Sequence, residues 1–124
     1  MSTITANKSY LEEDFTDLTQ ENENLNSLSL EKCNLRNCNF QKSNFEQSYF
    51  ADCTFENCNL SLINVKLARF DNVRFLACKI IGVEWFKVAI NLGFGVSFRD
   101  CFLDFGNFSG LVLKGVDFSN SSLK

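Results

Sequence analysis

Six cysteines, Cys33, Cys38, Cys53, Cys58, Cys78 and Cys101, are the residues of this 124-residue chain best equipped for chemistry. Thiols in such number ordinarily form a disulfide framework or a zinc site. Zinc needs ligands that converge tetrahedrally, commonly from a Cys-x2-4-Cys pair. Here the first five cysteines are separated by multiples of five residues, which points to a repeat rather than a ligand cluster. The rest of the catalytic inventory is thin. The chain has no histidine, which removes Ser-His-Asp and Cys-His machinery together with histidine metal sites. Gly93-x-Gly95 is followed by no Lys-Ser/Thr and opens no helical pattern, so it makes no phosphate loop. Glu12-Glu13-Asp14 reads as a solvated charge run. The expectation is a protein with no enzymatic activity, cofactor, metal or small-molecule substrate.

What positions the thiols is a period of five. Every fifth residue from Leu30 is large and apolar: Leu30, Leu35, Phe40, Phe45, Phe50, Phe55, Leu60, Val65, Phe70, Phe75, Ile80 and Trp85. A second block runs Phe98, Leu103, Phe108, Leu113, Phe118 and Leu123. At 45% apolar content, so many hits without a miss have a chance probability of about one in a million. The 14 Phe against one Trp and two Tyr show one structural slot filled again and again. Two places before each large residue stands a mostly small one, and all six cysteines fall in that position. A chain that turns one large and one small residue inward in every five, then rounds a corner, closes after four such sides. The product is a square coil of about 20 residues, its turns stacked at the inter-strand spacing of roughly 4.8 Å. Leu30, Phe50 and Phe70 should then share one column, Leu35, Phe55 and Phe75 the next, and Cys38, Cys58 and Cys78 a thiol ladder. Such cysteines act as small hydrophobes and are expected to be reduced.

Cys33-Asn34-Leu35-Arg36-Asn37, Cys38-Asn39-Phe40-Gln41-Lys42 and Cys58-Asn59-Leu60-Ser61-Leu62 resemble the motif of the pentapeptide-repeat family: a small residue, Asn or Asp, Leu or Phe, then two polar residues. The resemblance implies an all-β fold, a right-handed quadrilateral β-helix of about five coils with one inserted loop. Residues 1–14 are expected to form an acidic, partly irregular N-terminal segment, and 15–124 a single β-helix whose first coil, through Leu30, is irregular. "CNLSLINV" (58–65), "ACKIIGVEW" (77–85) and "VSFRDCFLD" (96–104) further resemble the albicidin-resistance branch, related to the quinolone-resistance proteins. That likeness implies a binding protein of the DNA-mimic kind, with DNA gyrase or topoisomerase IV as partner and protection from inhibitors as outcome. The alternative is a structural, protein-interaction solenoid.

Between Trp85 and Phe98 the period breaks, so residues 86–95 must bulge or leave the coil. This excursion supplies the partner-binding candidates Phe86, Lys87, Ile90, Asn91, Leu92 and Phe94. Leu62, Leu67, Leu76 and Ile81 join them, being apolar at outward positions where earlier coils carry polar residues. The last turns suggest a second surface: an open sheet edge there would pair with something. The expectation is a homodimer formed through Phe108, Leu111, Leu113, Phe118 and Leu123, or else a fragment of a longer protein.

The net charge of −3 is uneven. Residues 1–25 hold six acids and one base, leaving nine acids and eleven bases in the remainder, so charge makes no case for direct nucleic-acid binding. No run approaches the roughly 18 apolar residues of a membrane span, and the opening lacks the apolar stretch of a signal peptide. A cytoplasmic protein is expected.

Overall fold

The structure, a computed structural model, describes residues 3–124. Nine short strands run in chain order: β1 (Ser9–Leu11), β2 (Asp14–Thr16), β3 (Ser29–Glu31), β4 (Asn34–Arg36), β5 (Tyr49–Ala51), β6 (Thr54–Glu56), β7 (Arg69–Asp71), β8 (Val73–Leu76) and β9 (Val96–Arg99). They form two parallel sheets, β1-β3-β5-β7 and β2-β4-β6-β8-β9. Partners stand twenty residues apart, Leu30 opposite Phe50 and Phe50 opposite Phe70, until β9, where Phe75 faces Phe98. Isolated bridges mark the other two sides, Thr19 to Asn39 to Asn59 to Lys79 to Phe102 and Asn24 to Asn44 to Asn64. Four ladders around one axis make the right-handed quadrilateral β-helix of about five turns that the repeat implies.

Each side is too short to be stable as a strand by itself, and two features hold it in place. The first is the corner. Residues 7, 12, 17 and every fifth position to 77 take positive φ, as do Asp100, Phe105 and Asn120 after the break. The left-handed conformation turns the chain by one side, and Asn and Asp tolerate it best among non-glycine residues. The second is the axis. Phe50 stacks on Phe70 at 5.0 Å and Phe55 on Phe75 at 5.2 Å, while Phe45 meets Phe50 edge-on at 5.6 Å. Rings are thus parallel along a column and edge-to-face around a turn, both favourable arrangements.

Where the small slot beside a ring holds Cys or Ser, its tip is polar and tied to the coil before it. Cys53 donates to the Leu30 carbonyl at 3.2 Å, Cys58 to Leu35 at 3.3 Å, and Cys78 to Phe55 at 3.3 Å. Ser43 and Ser48 fill the same slot and donate to Gln20 and Leu25 in the same way. All six cysteines are free and buried. Burial pushes the Cys53 thiol up to about 11 and Cys33 upward as well.

The N-terminal turn departs from the sequence reading. Residues 3–8 form no strand, whereas β1 already lies within the segment 1–14 and the coil running through Leu30 carries bridges at Thr19 and Asn24 like those of later coils; residues 1 and 2 lie outside the described residues. β1 and β2 pair in full register with β3 and β4. The pattern was obscured because an outermost turn has a neighbour on one side only. Glu13 and Glu23 stand in the small slot and stay exposed. Gln20 takes a slot otherwise held by Phe, Leu or Ile, and is buried. Its amide accepts from Ile4 N and donates to Ile4 O, both at 2.8 Å, as a further strand would. The buried amide is therefore fully occupied rather than orphaned.

Phe50 touches rings above and beside it, so Phe50→Ala should cost about 3–5 kcal/mol in urea unfolding. Truncating Ser29, half-buried on β3 opposite Tyr49, should change stability by less than about 0.5 kcal/mol.

Candidate functional site

The excursion forms where sheet β1-β3-β5-β7 would need its next strand. Ala89 N donates to Ala68 O at 2.9 Å, and Gly95 N donates to Phe70 O at 3.0 Å. Two residue steps on one coil therefore face six on the next, and residues 90–94 leave the ladder. Two single-turn 3₁₀ helices, Trp85–Lys87 and Ile90–Leu92, take up the slack. The turn gains three residues, and the register beyond it is 23 instead of 20.

The apolar residues of this segment divide into two groups. Trp85 and Val88 are buried, and Phe94 turns back onto the axis, 5.6 Å from the Trp85 ring and 6.4 Å from Phe70. Phe94 is thus half-buried and serves to close the core where the regular column is missing. Ile90 and Leu92 point away and are 53% and 56% exposed, and Leu67 on the preceding coil is 50% exposed. With Val88, Ala89 and Asn91 these three line an open hollow of about 540 Å³. Ala89–Gly95 carries no charge. Its rim does: Lys87 is paired with Glu84 at 3.0 Å, and its ammonium lies 6.0 Å from the half-buried Phe86 ring.

The remaining sequence candidates are dispersed. Leu62 leans over Gly82 of the next turn, so close that a Cβ there would meet Leu62 Cδ2 at 2.8 Å. Leu76 is half-buried at the end of β8, on the sheet that lacks the excursion, aligned with Glu56 and Arg99. Ile81 is half-buried, its N–H bonded to the Ser61 hydroxyl at 3.1 Å. Of the four, only Leu67 adjoins the excursion hollow. On the final turn, Phe108, Leu111, Leu113 and Phe118 are half-buried and Leu123 is 51% exposed. Phe102 and Phe105 are exposed apolar residues outside the candidate set, and Phe105 occupies a left-handed corner. Their outward position in the repeat was the available signal.

Charge on the coil faces alternates. Arg36 pairs with Glu56, Lys66 with Glu46 and Arg99 with Asp117, each across neighbouring turns. All are solvent-exposed and worth little in stability. Among the described residues no group of His, Cys, Asp or Glu forms a three-ligand metal cluster, and no helix is long and apolar enough to cross a membrane.

The family described as "Pentapeptide repeat region" matches residues 28–91. Among solved structures the chain is similar to a trypsin-treated variant of QnrB1, described as a plasmid-mediated fluoroquinolone resistance protein. The identity is 14%, the TM-score 0.61, and the match covers 100% of this chain and 92% of that one. It is also similar to the pentapeptide repeat protein Rfr23 from the cyanobacterium Cyanothece 51142, at 11% identity and a TM-score of 0.44, covering 94% of this chain and 87% of that one. No curated protein sequence matches.

The two glycines bounding the end of the excursion differ in kind. A Cβ at Gly95 would stand 2.9 Å from Asn72 N and 3.5 Å from Phe70 O, whereas Gly93 has open space and only a positive φ of 85°. Gly93, at φ 85° and ψ 173°, takes a conformation that only glycine readily adopts, so Gly93→Ala should cost about 1–3 kcal/mol through strain, and Gly95→Ala should also destabilise, since backbone must shift to admit it. Paired urea titrations compare them directly.

Proposed function

The chain belongs to the pentapeptide-repeat family, and we propose that it is a non-enzymatic binding protein that docks on a type II topoisomerase, DNA gyrase or topoisomerase IV, and shields it from inhibitors. The observation that carries this reading is the exposed apolar group Leu67, Ile90 and Leu92, held on a stiff solenoid by the one break in its period. Exposed side chains of this type, rimmed by polar residues, mark interaction sites. The segment likenesses at 58–65, 77–85 and 96–104 point to the same partner, and the fold is that of a fluoroquinolone resistance protein.

The contact is one of shape and apolar burial. Duplex DNA carries one negative charge per roughly 1.7 Å, while the coil faces here alternate in sign. Duplex mimicry in this chain therefore rests on the width and straightness of the rod. Phe86, Lys87 and Asn91 frame the contact, and Phe94 supports it from within. Leu62, Leu76 and Ile81 lie outside the excursion hollow.

Gyrase supercoiling in the presence of a fluoroquinolone or albicidin tests the reading. Protection is expected at near-stoichiometric protein and should be lost in the Leu67→Asp/Ile90→Asp double variant with its far-UV spectrum unchanged. Absence of protection at large excess would refute it.

Self-association is a second reading, favoured by the half-buried rings and leucines of the last turn. Phe108, Leu111, Leu113, Phe118 and Leu123 would meet their counterparts in a second copy. Light scattering should then give twice the mass of the chain at micromolar concentration, and a single-chain mass throughout would count against it.

A further inference from the structure

Four thiols, Cys38, Cys58, Cys78 and Cys101, stand in one column and two, Cys33 and Cys53, in its neighbour. No step of the proposed function uses them. We propose that neighbouring thiols bind the soft monovalent cation Cu(I) in two-coordinate sites, one between each of the pairs Cys33–Cys53, Cys38–Cys58 and Cys78–Cys101.

The argument is one of spacing. Each pair is in register, twenty residues apart or 23 across the excursion: the residues following Cys53, Cys58 and Cys101 donate their N–H groups to the carbonyls of Cys33, Cys38 and Cys78. Their sulfurs are also oriented alike, since each donates to a carbonyl of the turn before it: Cys38 to Phe15 at 3.7 Å, Cys58 to Leu35, Cys78 to Phe55 and Cys101 to Phe75 at 3.3 Å. Equivalent atoms on successive turns are therefore separated by the coil rise of roughly 4.8 Å. A disulfide wants its Cβ atoms about 3.8 Å apart and its sulfurs about 2 Å apart, so an S–S bond would require two side chains that point the same way to turn toward each other. A two-coordinate metal between two thiolate sulfurs holds them two metal–sulfur bonds apart, far nearer to the coil rise than the roughly 2 Å of an S–S bond.

The same straight column excludes zinc, which needs four converging ligands, and the described residues hold no three-ligand cluster. Soft thiolate ligands select Cu(I), which is satisfied by two in line. Charge settles the proton count. Binding one Cu(I) with loss of one proton, from two thiols to a thiolate and a thiol on the same metal, leaves the site neutral. Loss of the second proton would strand a negative charge on the apolar axis, a costly outcome. The sites are buried, so entry requires local opening of a turn, as happens in any native ensemble.

The reduced protein is titrated anaerobically with Cu(I) against a bathocuproine chelator, and the retained metal is counted by native mass spectrometry. Three ions per chain are expected. X-ray absorption should show two sulfur neighbours per copper, and far-UV circular dichroism should not change. Cys58→Ser keeps the fold, because Ser43 and Ser48 already occupy the equivalent slot with their hydroxyls bonded to the preceding turn. It should retain two ions. Zn(II) under the same conditions should leave the protein metal-free. The proposal is overturned if no copper is retained, if Cys58→Ser still holds three ions, if copper has three or more neighbours, or if uptake abolishes the β spectrum.

Discussion

Everything in this molecule depends on the parallel ladder that joins each residue to the one a full turn later. A side only three to four residues long has too few internal hydrogen bonds to persist. Stacked, it donates N–H groups to the turns on both sides, Asn34 N to Glu13 O before it and Lys32 N to Ala51 O after it, and the cost of ordering the chain is shared along the rod. The ladder demands that every turn have the same length. That demand reaches the sequence as a period of five, with a ring on the axis, a small residue beside it and a left-handed corner. Asn and Asp recur at corners such as Asn37, Asp52, Asn57 and Asn72 because they bear that conformation at low cost, and their side chains bond along the corner, Asn57 to Asn37 and Asn72 to Asp52.

The excursion shows how a rigid repeat admits a local feature. Extra residues cannot be spread over the coil without breaking register, so four are confined between the Ala89 and Gly95 ladder bonds and one is given back before Val96 pairs with Val73, a net gain of three. One sheet ends at β7, while the other runs through to β9 with its rings still stacked, Phe75 on Phe98 at 5.1 Å. The axis opened by the missing column is refilled by Phe94, which packs against Phe70 and Trp85, while Trp85 and Phe108 stay stacked at 5.9 Å in their own column, 23 residues apart. Refilling the core from within is what leaves Ile90 and Leu92 free to face outward. Binding and packing are thus separated by which way each side chain turns at a single break.

The columns of the core were legible because a single large residue can enter each side and the period counts sides. The place of the thiols was legible for the same reason. What escaped the pattern lies at its ends and at its break. Gln20 in a ring slot and Glu13 and Glu23 in small slots hid a regular first turn, because an end turn is relieved of packing on its outer side. Phe94 looked like an exposed loop residue, since nothing in its neighbours' spacing reveals that the column before it is vacant. Leu76 and Ile81 are apolar at outward positions like Leu67, yet outward positions exist on all four sides, and period alone does not tell which side faces which partner.

The central claim is that turns of twenty residues, lengthened once to 23, stack their rings on a common axis. Nuclear Overhauser contacts between aromatic ring protons in a uniformly labelled sample test it directly. The account requires contacts between Phe50 and Phe70 and between Phe55 and Phe75, and a shift of three residues beyond the excursion, so that Phe75 meets Phe98 and Phe98 meets Phe118. Rings that contact only sequence neighbours, or that keep an unshifted register after residue 95, would contradict it.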